Sequence, residues 1–171
     1  MQTVTVLETL RLRLRQVVAD DFEALFSSVF EDELVMRHLS GSALAREKAL
    51  SVFNEVFDHE GSGRRPGVLE LRETKEFLGY AGLMACSALD EEDYEIGFVL
   101  KRDAWRKGYG TEIGLAQLNY GYQTTGNARL LAQVRPANEA SRRTLRRIGM
   151  EFVKEYERPG RGLWQVFKHT R

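Results

Sequence analysis

The sequence has little of three features that would each point to a class of protein: net charge, cysteine and long apolar runs. Its 25 lysines and arginines are balanced by 25 aspartates and glutamates. It therefore lacks the broad positive field on which non-specific nucleic-acid binding depends. We find no strong nucleic-acid signal, and any site for a polyanion must be local.

The scarcity of cysteine, long apolar runs and histidine indicates where the protein is located and whether it binds a metal. A single cysteine, Cys86, cannot form an internal disulfide. No segment approaches the roughly 20 apolar residues that a bilayer crossing needs, and the first thirty residues alternate apolar with charged ones. We therefore predict a cytoplasmic protein without a membrane span. The three histidines, at 38, 59 and 169, lack metal-ligand spacing, so we predict no metal.

The chain of 171 residues is long enough for one sizeable core and short for two, so we predict a single domain over residues 1–171. Leucines at 10, 12 and 14 alternate with arginines, and this period of two predicts a half-buried first strand. Asp20, with Glu23 three residues later, is placed as the N-cap of a first helix.

The later segments alternate between strand and helix patterns, which predicts one mixed α/β sheet with helices on both faces. The predicted elements are helices at about Glu33–Leu39, Ala43–Asp58, Gly110–Gln123 and Asn138–Ile148, strands at Val68–Leu71, Phe77–Cys86, Tyr94–Leu100 and Ala128–Val134, and a last pair of strands around Pro159.

The loop before the predicted 110–123 helix is a candidate anion site. Gly108 and Gly110 remove two Cβ atoms, so a ligand can approach the backbone and neighbouring N–H groups can converge on it. The start of a helix adds unpaired N–H groups and about +0.5 of a charge. Arg106 and Lys107 add positive charge. Taken alone, the same pattern also fits a tight strand-to-helix turn with incidental basic residues.

Three motifs follow one another in the second half of the chain. They are the strand Glu95–Leu100, the loop Trp105–Glu112, and the segment Val134–Ser141 followed by Ile148-Gly149-Met150. Together they resemble the GNAT superfamily of N-acetyltransferases, and the opening Glu8–Arg15 is similar to its RimJ/RimL-type branch of ribosomal-protein N-terminal acetyltransferases. The resemblance covers nearly the whole chain. Trp105 stands where the superfamily usually has Gln or Arg.

The resemblance implies a fold and a cosubstrate. The expected fold is a single mixed, mostly antiparallel sheet of about seven strands, splayed at strands 4 and 5, which are Tyr94–Leu100 and Ala128–Val134. The expected cosubstrate is acetyl-CoA, whose pantetheine arm enters the splay, with a backbone N–H of Phe98 or Val99 facing the thioester carbonyl. Fold relatives also imply a homodimer.

The same resemblance assigns residues to coenzyme A. Asn138 would cap its helix, bind the pantetheine, or both, and Arg142 or Arg143 would reach the adenosine 3′-phosphate. A solvated helix face and an RNA-contacting patch are the alternatives for these arginines. The pyrophosphate would lie in the loop made by Arg106, Lys107, Gly108, Tyr109, Gly110 and Thr111.

For the chemistry, Glu95 is the best-placed carboxylate to accept the proton of the amine, or to attract an ammonium group; the alternative is an ordinary glutamate at a sheet edge. Many superfamily members carry a tyrosine four residues before Gly149 to protonate the thiolate, but this chain has Leu145 there. Ser141 is the hydroxyl that the RimJ/RimL-type branch offers nearby; the alternative is a plain first-turn residue. Acidic Glu92 and Asp93 could recognise a cationic substrate.

We therefore expect an enzyme that transfers acetyl, or a longer acyl group, to a primary amine. Neutralising an α-amine at pH 7 costs about 1.4 kcal/mol and a lysine about 4.6 kcal/mol, so a protein N-terminus is favoured over a small-molecule amine. The rival interpretations are a non-catalytic acyl-CoA-binding or regulatory module and an RNA-binding domain. By resemblance, Leu34–Leu39 and Gly61–Gly67 border the acceptor cleft.

Overall fold

The computed structural model describes residues 2–171, in which eight strands, five α-helices and a short 3₁₀ helix (Arg102–Ala104) form. The helices are α1 (Asp21–Leu25, continued by a π turn over Phe26–Phe30), α2 (Glu33–Met36), α3 (Arg46–Val56), α4 (Tyr109–Thr125) and α5 (Glu139–Arg147). The strands are β1 (Thr5–Glu8), β2 (Leu12–Arg15), β3 (Gly67–Leu71), β4 (Phe77–Cys86), β5 (Asp93–Leu100), β6 (Arg129–Val134), β7 (Glu151–Arg158) and β8 (Gly162–Thr170).

The strands form one sheet in the order β1-β2-β3-β4-β5-β6-β8-β7. All neighbours are antiparallel except β5 and β6, which are parallel. Strands β4 and β5 pair along their whole length, whereas β5 and β6 share the single pair Glu95 and Leu131. The sheet therefore forks beyond Glu95. This confirms the mixed, splayed sheet; the predicted strands 4 and 5 are β5 and β6, because β1 adds an eighth strand at the start.

The start of the chain differs from the prediction of one strand from Leu10 onward. Leu10 is 85% exposed, whereas Leu12 and Leu14 are buried. The Thr9 N–H donates to the Leu12 carbonyl at 2.9 Å, which closes a turn between β1 and β2. Placing Leu10 in the strand was wrong, because a period of two does not distinguish the last turn residue from the first strand residue.

Asp20 does not cap α1, so that prediction was also wrong. Its backbone is already helical, and its side chain makes no cap hydrogen bond to any residue of the described chain. The neighbouring Asp21 carboxylate instead accepts the Val18 N–H at 2.7 Å and pairs with Arg15 at 2.8 Å. Asp21 rather than Asp20 therefore stabilises the start of α1. The ion pair with Arg15 of β2 favours Asp21, and the local sequence pattern does not reveal this pair.

The helices cover the two faces unequally. Helices α4 and α5 pack on one face, against core residues of β4, β5, β6 and β8 such as Leu83, Ile96 and Phe167. Helices α1–α3 pack on the other face, where Val68 and Tyr80 join their cluster; none of its residues in the described part of the chain comes from β6, β7 or β8. The β6-β8-β7 half of this face therefore lies beside the α1–α3 cluster and outside it.

Candidate active site

Glu95 lies at the point where β5 and β6 separate, because it belongs to the single residue pair that joins them. The Gln133 side-chain amide of β6 donates to the Glu95 carboxylate. The Tyr156 hydroxyl of β7 donates in turn to the amide oxygen of Gln133. This chain of donors leaves Glu95 as the acceptor at its end, which orients the carboxylate at the fork.

The surroundings of these hydrogen-bonded side chains set the protonation of Glu95 and Tyr156. Burial raises the pKa of Glu95 above its usual range, and the hydrogen bond from Gln133 and the charge of Arg158 only partly oppose this effect. Burial also raises the pKa of Tyr156, so its phenol keeps the proton that it donates. A carboxylate whose pKa is raised toward that of its reaction partner is a better proton acceptor, as general-base catalysis requires.

The predicted anion loop has the backbone that such a site needs. Arg106 and Gly108 both adopt positive φ angles, of 61° and 81°. Gly108 is the N-cap of α4, and having no side chain it leaves the N–H groups of the first turn uncapped. A left-handed residue directly before uncapped helical N–H groups is the geometry of a backbone anion site. The tight-turn alternative predicts the same φ angles, so the uncapped helix start is the feature that favours an anion.

A cluster from the start of the chain braces this loop. Arg11 donates to the Lys107 carbonyl at 2.9 Å and to the Glu112 carboxylate at 2.7 Å. Its guanidinium lies 4.6 Å from the centre of the Tyr109 ring. Thr9 donates to the same carboxylate at 2.5 Å. Two residues of the β1–β2 turn thus hold the first turn of α4 in place.

Gly110 has a packing role that the sequence did not indicate, while its role in ligand approach stays a prediction. A Cβ there would lie 3.1 Å from Phe98 Cε2 and 3.6 Å from Thr144 Cγ2. The missing side chain therefore lets α4 start close to both β5 and α5. Phe98, predicted at the thioester, fills this contact on the α4 face, whereas Glu95 projects to the opposite face because the two residues are three apart on one strand.

On α5, Asn138 is the N-cap as predicted, and its side chain accepts the Ser141 N–H at 3.2 Å. Ser141 is half-buried in the first turn, and Leu145 is a core residue with 4% exposure. Arg142 is engaged by the Pro136 carbonyl at 3.2 Å and by Glu139 at 2.8 Å. The exposed Arg143 is therefore the freer of the two candidates for a phosphate contact.

Comparison with known proteins identifies the family. The sequence model of the acetyltransferase (GNAT) domain matches residues 11–151. The chain belongs to the GNAT acetyltransferase family, and it is an acyl-CoA-dependent N-acetyltransferase. This membership favours the enzyme over the non-catalytic module that the sequence left open.

Individual GNAT proteins match over most of their length. The uncharacterized N-acetyltransferase YoaA of Bacillus subtilis (strain 168) is 35% identical over 152 residues, covering 88% of this chain and 84% of YoaA. The uncharacterized protein YkkB of the same strain is 32% identical over 154 residues, 90% of each chain. The crystal structure of a GNAT-family acetyltransferase from Bacillus anthracis superposes with a TM-score of 0.80 at 21% identity, covering 99% of this chain and 98% of the other.

One buried group of this GNAT domain gives a test of whether coenzyme A fits. Gln117 of α4 is fully buried, and its amide oxygen accepts the Gly97 N–H of β5 at 3.3 Å. Its Nε2 has no hydrogen-bond partner among residues 2–171. A buried amide donor without a partner costs about 1–3 kcal/mol, and a donor behind the forked strand suits a ligand that carries carbonyl groups, as pantetheine does. The uncapped start of α4 fits a diphosphate by the same reasoning.

The face of the fork that carries Glu95 contains a second group that the sequence did not single out. Arg135 follows β6, Arg158 ends β7, and their guanidinium carbons lie 5.1 and 4.9 Å from the ring centre of Trp164 on β8. Trp164 is 6% exposed, so its ring is part of the packed interior. Arg135 also donates to the Leu39 carbonyl at 3.1 Å, which brings the segment after α2 next to this group; its place beside the acceptor stays a prediction.

The acidic residues near Glu95 are less available than the sequence implied. Asp93 is buried at the start of β5 and pairs with Arg129 at 2.7 Å, so the expectation that it recognises a cationic substrate was wrong. Glu92 is exposed at the rim of an open cleft of about 500 Å³ that includes Cys86. Burial and the nearby Glu95 charge raise the pKa of Cys86 to about 12.

Sequence reasoning missed the residues that reach the fork from distant segments. Gln133 and Tyr156 join Glu95 only through pairing of β6, β8 and β7. The one local signal is Gln133, a polar residue inside the apolar run of β6. In the described part of the chain, no cluster of three or more His, Cys, Asp or Glu could hold a metal ion, and no helix has the length and apolar character of a membrane span.

Proposed function

We propose that the protein transfers an acetyl group from acetyl-CoA to a primary amine by direct attack in a ternary complex, with the α-amine of a protein N-terminus favoured over a small-molecule amine. The observation that carries the proposal is the oriented Glu95 carboxylate at the fork of the sheet. The RimJ/RimL-type branch stays the proposed subfamily, on the resemblance of the opening strand and the motifs.

Acetyl-CoA would supply the activated acyl group. The pyrophosphate would be held by the loop from Arg106 to Thr111, which the Arg11 cluster braces. Asn138 and the backbone of Phe98 or Val99 are the proposed contacts for the pantetheine arm and the thioester. The proposed 3′-phosphate contact is Arg143, with Arg142 available only after release of Glu139.

Glu95 would accept the proton of the attacking amine. Its raised pKa makes it a better proton acceptor than an exposed glutamate, and an α-amine, with a pKa near 8, holds its proton less tightly than a lysine near 10.4. The energy needed to neutralise an α-amine at pH 7 is only about 1.4 kcal/mol. A modest base is sufficient for such a substrate, which supports a protein N-terminus as the acceptor.

For the departing thiolate, Ser141 is the proposed proton donor. Leu145, at the position where many family members have tyrosine, is buried and carries no proton to give. Cys86 would be a poor acyl carrier, because its raised pKa keeps it a thiol at neutral pH. Direct transfer between the two substrates is therefore favoured over an acyl-cysteine route.

The first experiment measures the melting temperature with and without acetyl-CoA. A ligand at 100 times its dissociation constant stabilises a protein by about 2.7 kcal/mol. A clear rise supports the cosubstrate, and its absence at millimolar acetyl-CoA would contradict it. Desulfo-CoA as a second ligand would show that binding needs the nucleotide portion and not the thiol.

The second experiment measures release of free CoA thiol with peptides bearing a free N-terminus, the same peptides with a blocked N-terminus, and polyamines. We expect turnover only with free α-amines. We also expect kcat of the Ser141→Ala variant to be lower than that of the wild type. Binding of acetyl-CoA without turnover of any amine would favour the non-catalytic module instead. The cytoplasmic location, the single domain and the homodimer stay predictions.

A further inference from the structure

The sheet face beside α1–α3 carries two arginines, Arg135 and Arg158, that are not held in ion pairs. Neither Arg135 nor Arg158 forms an ion pair with any carboxylate of residues 2–171. The Nε of Arg135 is buried and has no hydrogen-bond partner within the same residues. Partly buried guanidinium groups normally find carboxylate or phosphate partners, so these two have capacity left for a ligand.

The acidic residues beside Arg158 on β7 and at the start of β5 form no ion pair with either arginine. Asp93 is held by Arg129. Glu155 and Glu157 alternate with Tyr156 and Arg158 along β7, so they project to the other face of the sheet, where Glu155 accepts from Gln165 at 2.7 Å. Glu95 lies on the same face as Arg158 and is close enough to it for the charges to interact.

Trp164 gives the two guanidinium groups a fixed position. The guanidinium carbons of Arg135 and Arg158 lie 5.1 and 4.9 Å from the centre of its buried ring, and the Trp164 Nε1–H donates to the Arg161 carbonyl at 3.2 Å. Guanidinium groups stacked on an aromatic ring are pre-organised and present paired N–H donors that match a carboxylate. A flexible surface arginine lacks this property.

We propose that the acceptor of this enzyme carries a carboxylate close to its amine, bound by Arg135 and Arg158 while the amine faces Glu95. This inference rests on the proposed function and specifies its substrate class. Two sources share this chemistry: a protein N-terminus with an acidic residue among its first positions, and a free acidic amino acid. A polycationic acceptor is disfavoured, because it would be repelled by both arginines.

The test compares acceptors that differ only in this charge. Thiol release is measured with saturating acetyl-CoA for peptides Ala-Asp-Ala-Ala amide and Ala-Asn-Ala-Ala amide, for free glutamate and glutaminamide, in which both carboxylates are replaced by amides, and for spermidine. We expect kcat/KM to be about ten- to a hundredfold higher for the carboxylate member of at least one pair, which is the range for a charge-assisted hydrogen bond. The pair that shows the preference identifies the source.

Substitutions then assign the preference to the two arginines. In Arg158→Gln and Arg135→Gln we expect the carboxylate-to-amide ratio to fall toward one, chiefly through KM of the acidic acceptor. Arg158→Lys and Arg135→Lys keep the charge and should retain part of the ratio, which separates recognition from loss of folding. The matched control is Arg161→Gln at the exposed β7–β8 turn, for which the ratio should not change. Melting temperatures with acetyl-CoA show that each variant folds.

The outcomes separate this inference from the proposed function. If free amines are turned over at equal rates for acidic and amide acceptors, or faster for spermidine, only the proposal that the acceptor carries a carboxylate is overturned. A wild-type ratio in both glutamine variants would overturn the assignment to Arg135 and Arg158. Binding of acetyl-CoA without turnover of any amine would overturn the proposed function, and the carboxylate with it.

Discussion

The proposed pyrophosphate loop and the proposed acceptor cleft lie on either side of the same fork, but they are built differently. The loop is one continuous segment before α4, and its ligand groups are backbone N–H groups that Gly108 leaves uncapped. The cleft collects side chains from β5, β6, β7 and β8 around Glu95. Because the loop uses backbone groups, it can bind the same cosubstrate whichever side chains most of its positions carry. In the cleft, each side chain contributes separately to the choice of acceptor.

This difference predicts which changes affect which substrate. Substitutions near the start of α4 should weaken acetyl-CoA binding, whichever acceptor is used. Substitutions in the cleft should leave acetyl-CoA binding unchanged and should alter the turnover rate or its dependence on pH. Four substitutions test the division, in order of decreasing expected effect.

The largest effect is expected for Glu95→Gln. Removing a general base typically costs about 10²- to 10⁴-fold in rate, so kcat/KM for the amine should fall in that range at neutral pH. The rise in melting temperature with acetyl-CoA should stay as in the wild type. Glu92→Gln, at an exposed position three residues earlier, is the control. A fall of less than about tenfold in Glu95→Gln would remove it as the base.

Gly110→Val should destabilise the protein and weaken acetyl-CoA binding together. The added side chain has no room between Phe98 and Thr144, and overpacking of this kind costs about 1–3 kcal/mol. Urea unfolding with and without acetyl-CoA measures both effects. Leu115→Val, at an exposed position of the same helix, should change neither. Unchanged stability in Gly110→Val would show that the packing is looser than the contacts imply.

Arg11→Gln should act on the cosubstrate alone. The variant loses hydrogen bonds to the Lys107 carbonyl and the Glu112 carboxylate, each worth about 1–2 kcal/mol at a partly exposed site. We expect KM for acetyl-CoA to rise about three- to tenfold, with kcat nearly unchanged. Lys48→Gln, exposed on α3, is the control. An equal loss in kcat would mean that the brace also positions the reacting groups.

The smallest effect is expected for Gln133→Leu, on the pH profile. A protonated Glu95 cannot accept the amine's proton, so activity is lost as pH falls through its pKa, which burial has already raised. The hydrogen bond from Gln133 lowers that pKa, and its removal should raise the pKa further. The acid limb of kcat/KM should therefore move to higher pH. Gln123→Leu on the exposed side of α4 is the control, and a shift to lower pH in Gln133→Leu would contradict the assignment.

Sequence patterns were most successful where structure depends on neighbouring residues. The β3–β4 hairpin, the start of α4 and the Asn138 cap all form where local spacing and turn chemistry predicted them. The same reasoning failed at Asp20, because the ion pair between Arg15 and Asp21 overrides the local capping pattern. It failed again at Leu10, where an alternating pattern continues beyond the strand into an exposed turn.

By itself, the sequence determined the mixed fold, the backbone of the proposed anion loop and the family, because each depends on consecutive residues whose backbone conformations follow from glycines, caps and periodicity. Only the tertiary structure decided the cleft. Glu95 and Gln133 meet because two parallel strands share one residue pair and then separate, and Arg135, Arg158 and Trp164 converge through pairing of strands far apart in the chain. Their charge balance depends on which carboxylates are already paired, and this is a property of the folded chain.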